Sequence, residues 1–345
     1  MYVLFCIAAG LVFSELFYFR IADRFHILDK PNERSSHRQV TLRGGGVIFL
    51  LGIWFYTFFY GWLYPWFLVG LTGIAAVSFA DDIRSVSPKI RSIVHCFALL
   101  LMFYQWGIFS AGLGWYLLPI TIVCMGIINA YNFMDGINGI TGGYSLAVLL
   151  PLLWVNRLTP FVDPHLIGVA ILSVLVFCFF NFRTKAKCFA GDIGSVSMAY
   201  ILLFILGGLI WQSKQGWYLL FLAVYGVDSV LTICHRLLLH ENLFLPHRQH
   251  LYQLMANELN IRHVTIASVY TIVQLIVSFG ALFLPVDKWI YFGGVITILS
   301  AGYVLFKKKY YPLHERSLHS TVSYPQELKT KIHEGKHEPP TALIP

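Results

Sequence analysis

Long runs of apolar residues recur along the whole chain, and shorter polar segments separate them. A run of roughly 18 to 20 apolar residues can cross the hydrocarbon core of a bilayer as a helix. We place eleven such runs near residues 2–19, 45–60, 63–80, 93–109, 115–131, 141–155, 165–182, 193–211, 217–239, 264–284 and 288–306. The pattern predicts an all-α, polytopic integral membrane protein with about 10–11 transmembrane helices.

Composition supports this fold class, because 57% of the 345 residues are hydrophobic and only 12% are charged. A soluble core does not need that much apolar surface, so the excess belongs in lipid. The runs follow one another without a soluble insert, which indicates one membrane-embedded domain over residues 1–306. The polar, basic segment 307–345 is predicted to be a disordered cytoplasmic tail.

The lysines and arginines predict the orientation of the helices. With eleven spans, 22 of the 25 basic residues fall on one side of the membrane, and only Arg157, Lys214 and Lys288 fall on the other. Cytoplasmic loops carry an excess of lysine and arginine, so we expect the N-terminus outside and the C-terminus in the cytoplasm. The asymmetry accounts for the net charge of +8 without a nucleic-acid partner.

Four carboxylates lie where apolar runs end, all on the predicted cytoplasmic side: Asp81, Asp82, Asp135 and Asp192. Carboxylates are costly near lipid, and several of them at one rim suit a divalent cation. Asp81 and Asp82 are adjacent and repel each other, which favours a cation or a shared proton. A structural alternative stays open, in which the pair caps the fourth helix and binds Arg84.

Two of these carboxylates have informative neighbours. Asn129, Asn132 and Asp135 recur every three residues and would form a hydrogen-bonding wall on one helical face. Asp192 follows Gly191 at the start of the eighth run, where a carboxylate either caps the helix or holds a divalent ion. Both segments therefore contribute candidate ligands for a polar substrate.

Basic side chains occur in two loops on the same side. His247, Arg248 and His250 suit phosphate oxygens, although a solvated basic loop or a transition-metal site are alternatives. In the first loop, His37 and Arg43 precede three glycines and form either a phosphate rim or a positive-inside loop. The sequence thus places candidate anion-binding groups beside the candidate cation-binding groups.

Asp228, Thr232 and Arg236 share one face of the ninth run. A buried aspartate there needs a partner, and both hydroxyl and guanidinium groups are within reach. The spacing leaves a structural network and a substrate contact equally open.

Five segments in this order, PNERSSHRQVTLRGGG, FADDIR, NAYNFMDGINGITGG, FAGDIGS and HRQHLYQ, resemble the polyprenyl-phosphate N-acetylaminosugar-1-phosphate transferases. This is the glycosyltransferase 4 family, which is related to phospho-N-acetylmuramoyl-pentapeptide transferase. The resemblance runs from about Asp29 to Gln253. The ordered set is far more specific than any one of its members.

The resemblance implies transfer of an N-acetylaminosugar 1-phosphate from a UDP-sugar to undecaprenyl phosphate, with release of UMP. It further implies Mg²⁺ as the cofactor, with Mn²⁺ as a substitute, and a bacterial inner membrane with a periplasmic N-terminus. The reaction would be the first membrane step of O-antigen or capsule synthesis. The partners expected are the two substrates and the lipid bilayer, and a homodimer is a candidate assembly.

The resemblance also assigns roles to residues. The catalytic residues would be Asp81, Asp82, Asp135 and Asp192, with Asp192 as the metal ligand. The Asp81–Asp82 pair would accept a proton from the lipid phosphate or organise the metal. The substrate-binding residues would be His37, Arg43, Asn132, Asn138, Phe189, His247, Arg248 and His250.

The chain departs from the family pattern at two positions near the nucleotide. Asn138 replaces the last acid of the Asn-x-x-Asp-Gly-x-Asp pattern, and its amide oxygen can still accept from the uracil N–H. Ala190 replaces the usual methionine, which leaves Phe189 as the stacking surface for the base. The motif HRQHLYQ also differs from the motif of the muramoyl-pentapeptide branch. It resembles that of the O-antigen and capsule initiators, which use simpler sugars.

Two other classes place carboxylates in membranes. An aspartate-rich prenyltransferase would need an acid four residues after Asp81, where Ser85 stands. A transporter would place its carboxylates near the midplane and often in repeated halves, and no repeat is evident. Both are the weaker interpretations.

Overall fold

The computed structural model describes residues 2–29, 39–112, 114–243, 245 and 247–333, with side chains described as far as residue 315, apart from residue 115. Its helices are α1 (Tyr2–Arg24), α2 (Val47–Tyr60), α3 (Pro65–Ile83), α4 (Pro88–Gln105), α5 (Leu117–Phe133), α6 (Ile140–Leu158), α7 (Pro164–Asn181), α8 (Gly191–Ser213), α9 (Ala223–Leu238), α10 (Leu251–Asn257), α11 (His263–Phe283) and α12 (Lys288–His333). Short 3₁₀ turns cover Phe109–Ala111, Gly114–Tyr116 and Gly216–Leu222. Two strands, β1 (Leu28–Asp29) and β2 (Thr41–Leu42), pair antiparallel.

Each of the eleven apolar runs corresponds to a helix, and α10 is an additional short helix between two of them. Among the described residues, seven helices are long and apolar enough to cross a membrane: Tyr2–Arg24, Pro65–Ile83, Pro164–Asn181, Gly191–Ser213, Gly216–Leu238, His263–Phe283 and Lys288–Glu315. The α2 and α5 helices are apolar but shorter. The prediction of an all-α, polytopic membrane protein is confirmed.

Local signals explain where several helices begin. Pro65, Pro88 and Pro164 occupy the first turn of α3, α4 and α7, where a missing N–H costs nothing and the fixed φ suits a helix. Side chains cap two of these starts, because Ser87 accepts from the amide of Ile90 and Asp163 accepts from the amide of His165. The sequence therefore encodes these boundaries within a few residues.

The α8 helix forms the centre of the bundle. Nearly all its residues between Ile193 and Leu206 are buried, so it carries no single apolar stripe. It packs against α3 and α5 along much of its length, and Phe204 stacks on Phe67 with ring centroids 4.0 Å apart. A helix enclosed on all sides holds its first turn in a fixed position, and Asp192 lies in that turn.

The start of α2 crosses the start of α8 at two glycines. A Cβ atom on Gly46 would collide with the backbone of Gly194, so neither position has room for a side chain. Backbone contact of this kind is how small residues bring membrane helices together. The crossing fixes the residues just before α2 against the loop that precedes α8.

The helix α12 corrects the expected boundary at residue 306. The sequence predicted a disordered tail from residue 307, but the helix continues to His333. Lys307 and His314 are buried, and His314 Nδ1 lies 2.7 Å from Glu258 Oε1 at the end of α10. The first part of the supposed tail is therefore packed against the bundle.

Candidate active site

Arg43 is held in place from two directions. The β1–β2 pair brings the chain back to α2, and the Tyr18 hydroxyl of α1 donates to the Arg43 carbonyl at 2.6 Å. The guanidinium then donates from Nε to Asp82 Oδ1 at 2.6 Å and from Nη2 to Asp192 Oδ1 at 3.3 Å. Burial alone would lower the pKa of Arg43, but the carboxylates of Asp82 and Asp192 raise it above its usual value.

Asp82 caps the first turn of α8. Its carboxylate accepts from the backbone amides of Asp192 at 2.9 Å and Ile193 at 3.0 Å. Amides at a helix N-terminus lack partners within the helix, and the helix dipole favours a negative charge there. The Asp82 side chain is 0% exposed, so its oxygens are committed to this cap and to Arg43.

Asp81 faces the other way from Asp82 and binds a second arginine. Its Oδ2 lies 2.6 Å from Arg91 Nη1, and its Oδ1 accepts from the Val86 amide at 2.6 Å. The same Arg91 nitrogen is 3.5 Å from Asp192 Oδ2. Three carboxylates and two guanidiniums thus form one network, which leaves one negative charge in excess.

The capping alternative considered for the Asp81–Asp82 pair needs correction. The partner was expected to be Arg84 and the capped helix was expected to be α4. The structure pairs Asp81 with Arg91 and uses Asp82 to cap α8, from a position 110 residues earlier in the chain.

Asp135 lies in the loop after α5, next to this network. Thr141 donates from Oγ1 to Asp135 Oδ1 at 2.5 Å, and Asn132 donates from Nδ2 to Ser195 Oγ in α8 at 3.1 Å. Burial, followed by the charge of Asp192, raises the pKa of Asp135 to about 7. The carboxyl group is therefore close to half-ionised at neutral pH when no cation is nearby.

The oxygen ligands here fit one kind of metal better than another. Within the described residues, no three His, Cys, Asp or Glu side chains stand together as a metal-binding group. Mg²⁺ does not require such a group, because proteins commonly hold it with one or two carboxylates and let water and substrate phosphates complete the shell. Asp192 keeps 17% of its side chain exposed, and the network around it has excess negative charge. These residues fit Mg²⁺.

Asp228 in α9 binds the loop that follows this helix. Asp228 Oδ1 lies 3.2 Å from His250 Nδ1 and accepts from the Leu251 amide at 3.1 Å. Tyr270 donates to Asp228 Oδ2 at 2.6 Å. Because a carboxylate can only accept, His250 carries its proton on Nδ1, and Nε2 is left for another partner.

Arg236 organises the rest of this loop. It donates to the carbonyls of Asn242, Leu243 and Leu245, and its Nε lies 2.9 Å from Glu241 Oε2. The structural alternative is therefore confirmed for Asp228, Thr232 and Arg236, because all three make hydrogen bonds within the protein.

The two histidines lie beside the end of α5. Their ring centroids are 5.0 Å apart, and each is 6.4 Å from the ring of Phe133. Burial, followed by the charges of His250 and Arg236, lowers the pKa of His247 to about 3. At neutral pH His247 is therefore a neutral hydrogen-bonding group, whereas the sequence suggested a cation.

A cavity of about 710 Å³ is lined by residues from the same chain segments, although none of the four carboxylates is among its lining residues. Three predicted nucleotide-binding or phosphate-binding residues line it, namely Asn138, Phe189 and Arg248, together with Thr41 and Lys185. Asn138 donates from Nδ2 to the carbonyls of Arg183 and Thr184, at 3.0 and 3.2 Å. These bonds fix the amide, and its Oδ1 is buried with no hydrogen-bond partner among the described residues.

The structure brings the predicted site together from five segments. Arg43, Asp81, Asp82 and Asp192 form the charged network, Asn132 and Asp135 adjoin it, and Asn138, Phe189 and Arg248 line the cavity. His247 and His250 stand on the side of α5. His37 lies outside the described residues.

Sequence reasoning missed two residues of this site. Arg91 bridges Asp81 and Asp192, yet it stands ten residues after its partner and on the next helix. Thr141 donates to Asp135 across the turn between α5 and α6. Neither has a local spacing signal, and only the packing of α3, α4 and α8 reveals the first.

Together these features define a polytopic membrane enzyme with its polar groups gathered at one end of the bundle. The model of glycosyl transferase family 4 matches residues 64–208. This match and the similar proteins named below support the resemblance to the polyprenyl-phosphate N-acetylaminosugar-1-phosphate transferases that was drawn from the motifs. Neither this family match nor the similar proteins described next favour a prenyltransferase or a transporter.

Similar proteins carry related names. A probable undecaprenyl-phosphate N-acetylglucosaminyl 1-phosphate transferase of Bacillus subtilis (strain 168) is 28% identical, over 69% of this chain and 72% of its own length. The undecaprenyl-phosphate alpha-N-acetylglucosaminyl 1-phosphate transferase of Escherichia coli (strain K12) is 27% identical, over 71% and 74%. The Yersinia pestis enzyme of the same name is 25% identical, over 71% and 74%.

Proposed function

We propose that this chain transfers an N-acetylaminosugar 1-phosphate from a UDP-sugar to undecaprenyl phosphate, giving the polyprenyl-diphospho-sugar and UMP. The observation that carries the proposal is that the same chain segments build the carboxylate–arginine network and the cavity, since Asn138 and Phe189 stand three residues from Asp135 and Asp192. The names of the relatives make N-acetylglucosamine the first sugar to test. N-acetylfucosamine and N-acetylquinovosamine are the further candidates, because the HRQHLYQ motif resembles O-antigen and capsule initiators, which use N-acetylglucosamine or such deoxy relatives.

The cavity would hold the nucleotide. Phe189 offers a ring for the uracil to stack on, and Asn138 Oδ1 can accept from the uracil N–H. Arg248 lines the same cavity and can bind phosphate oxygens with both arms of its guanidinium. This arrangement would direct the diphosphate toward Asp135 and Asp192.

Asp192 would hold the metal, and the neighbouring Asp135 would add negative charge beside it. A bound Mg²⁺, with Mn²⁺ as a substitute, would neutralise phosphate charge and stabilise the leaving UMP. Arg43 and Arg91 already keep Asp192 in place, so the ligand is positioned before the substrate arrives. Little reorganisation is then needed during the reaction.

The lipid phosphate would attack without much help from a base. A phosphate monoester has a second pKa near 6 and is largely dianionic at cytosolic pH. Asp82 is enclosed and bound by three donors, so we assign it to positioning Arg43 and α8 and do not assign it to proton transfer. Asp81 is the more exposed member of the pair and remains the candidate base.

The location follows from charge and family. We place the site on the cytoplasmic face of a bacterial inner membrane, with the N-terminus in the periplasm, because basic residues dominate that face. The product would serve as the first membrane intermediate of O-antigen or capsule synthesis. A homodimer is the assembly to test in detergent.

The decisive experiment measures UMP release by the purified protein from a panel of UDP-N-acetylaminosugars. Each donor is tested with and without undecaprenyl phosphate, and with and without Mg²⁺. Release that needs both lipid and metal supports the proposal and identifies the sugar. Release without the lipid would indicate a hydrolase, and no release from any donor would contradict the proposal.

A further inference from the structure

The helix α12 contacts α9 through Tyr303, and a buried lysine of α12 donates to that tyrosine. Lys307 is 3% exposed, and its Nζ donates to the Tyr303 hydroxyl at 2.8 Å. That hydroxyl lies 2.8 Å from Thr232 Oγ1 in α9. Thr232 in turn donates to Asp228 Oδ1 at 3.2 Å. A continuous chain of hydrogen bonds therefore links α12 to the carboxylate that holds His250.

The direction of every hydrogen bond in this chain is fixed. Lysine can only donate and a carboxylate can only accept, so the protons must all point from Lys307 toward Asp228. Tyr303 accepts from Lys307 and donates to Thr232, and Thr232 donates its own hydroxyl proton to Asp228. Bonds that point one way polarise one another and strengthen the chain.

Lys307 has few competing partners. Its Nζ lies 5.3 and 5.4 Å from the ring centroids of Tyr303 and Tyr311, so two aromatic rings enclose the cation. The nearby Arg236 is already bound to Glu241 and to three backbone carbonyls. Lys307 is thus the cation placed to compensate the charge of Asp228 through the two hydroxyls.

We propose that Lys307 is a positioning residue, which acts through Tyr303, Thr232 and Asp228 to hold the His250 imidazole with Nε2 directed at the substrate. His250 is buried, and its Nε2 has no hydrogen-bond partner among the described residues. The ring stands 6.4 Å from Phe133, two residues before Asp135. That Nε2 meets a substrate phosphate rests on the proposed function, whereas the positioning of the ring does not.

Two variants break the chain at different points. Lys307→Met removes the charge and keeps the length of the side chain, and Tyr303→Phe removes one hydroxyl and keeps the ring. Lys308→Met is the matched control, because Lys308 is the exposed neighbour. We expect kcat/KM for the UDP-sugar to fall about 10- to 100-fold in the first two variants, as when supporting residues of metal ligands are changed. The control should retain full activity.

A double-mutant comparison separates positioning from general stability. In a His250→Gln background, Lys307→Met should cause no further loss of kcat/KM, because the group it positions is gone. A Lys307 that merely stabilised the fold would lower activity by the same factor in both backgrounds. That result, or a Lys307→Met variant as active as the control, would overturn the inference.

A spectroscopic measurement does not depend on turnover. In ¹⁵N-histidine-labelled protein, the His250 resonances are assigned by their loss in His250→Gln. Lys307→Met and Tyr303→Phe should each shift the His250 Nδ1 resonance, and Lys308→Met should leave it in place. If the wild type releases no UMP but these shifts occur, the proposed function fails and the positioning inference stands. If the wild type is active and no shift occurs, the inference fails and the function stands.

Discussion

The site has two charged walls, which are built in opposite ways. The first wall is the carboxylate–arginine network around Asp192, and the second wall is the histidine loop around His250. Around Asp192, the functional groups neutralise one another directly, since Arg43 and Arg91 bind three carboxylates. Around His250, the supporting groups stand behind the loop, in α9, α11 and α12. In the first wall the same residues would serve stability and catalysis. In the second wall the two tasks fall to different residues and can be separated by mutation.

The largest effect on activity is expected at Asp192. Asp192→Asn removes the proposed metal ligand and should lower Mg²⁺-dependent UMP release by about 1,000-fold or more. The protein should remain folded, which size-exclusion chromatography in detergent would show. Asp163→Asn, which changes the N-cap of α7, is the matched control and should keep its activity. Full activity of Asp192→Asn would exclude it as a ligand.

Asp82 tests whether the first wall also carries stability. Asp82→Asn weakens the cap of α8 and its bond to Arg43, and a charge left without its partner is costly. We expect a loss of roughly 3 kcal/mol in the free energy of unfolding, together with most of the activity. Thermal unfolding in detergent measures it, and an unchanged melting temperature would contradict the shared role.

Asp228 tests the opposite behaviour in the second wall. Asp228→Asn keeps the shape but supplies one acceptor oxygen where the carboxylate supplied two, so the His250 tautomer is no longer fixed. Activity should fall about 100-fold with little change in the KM for the UDP-sugar, because the nucleotide would bind in the cavity lined by Asn138, Phe189 and Arg248. A large rise in KM with kcat unchanged would show that the two walls do not act separately.

Asp135 gives a pH-dependent prediction in the absence of divalent ions. Because burial raises its pKa to about 7, the folded protein keeps a proton that the unfolded chain releases near pH 4. Stability should therefore fall as the pH rises from about 4 to 7, and the loss is complete above that range. Asp135→Asn cannot ionise and should melt roughly 2–4 °C higher than the wild type at pH 8. At or below about pH 4 the two should melt together, and equal melting at pH 4 and pH 8 would contradict the raised pKa.

The smallest effect is expected at Arg248, in the cavity between the two walls. Arg248→Lys keeps the charge but loses the planar fork, so the KM for the UDP-sugar should rise about fivefold to tenfold. Arg84→Lys, at the surface of the same end of the bundle, is the matched control. Identical kinetics for Arg248→Lys would argue against a bidentate phosphate contact.

The sequence predicted most of the fold because its signals are local. Apolar runs specify each helix on its own, and Pro65, Pro88 and Pro164 mark where three of them begin. The site was predicted as a set of residues for the same reason, since each motif sits at the end of a run. The resemblance then assembled these motifs into one function.

What the sequence could not supply is which groups touch. Asp81 was expected to pair with the nearby Arg84, but the packing of α4 against α3 brings Arg91 to it. Lys307 was assigned to a tail because polar residues follow it, although it is buried beneath the histidine loop. Arg91 reaches Asp81 because α4 packs against α3, and Lys307 is buried because α12 packs against α9, where Tyr303 contacts Thr232. Spacing along the chain does not encode either packing.

The backbone crossing of Gly46 and Gly194 also bears on which substitutions the chain can tolerate. Both glycines are buried, and a Cβ atom on either one would collide with the other helix. A larger residue at either position would push the start of α2 away from the start of α8. Because Arg43 and Asp192 stand three and two residues from these glycines, such a substitution should disturb the charged network without altering any of its members.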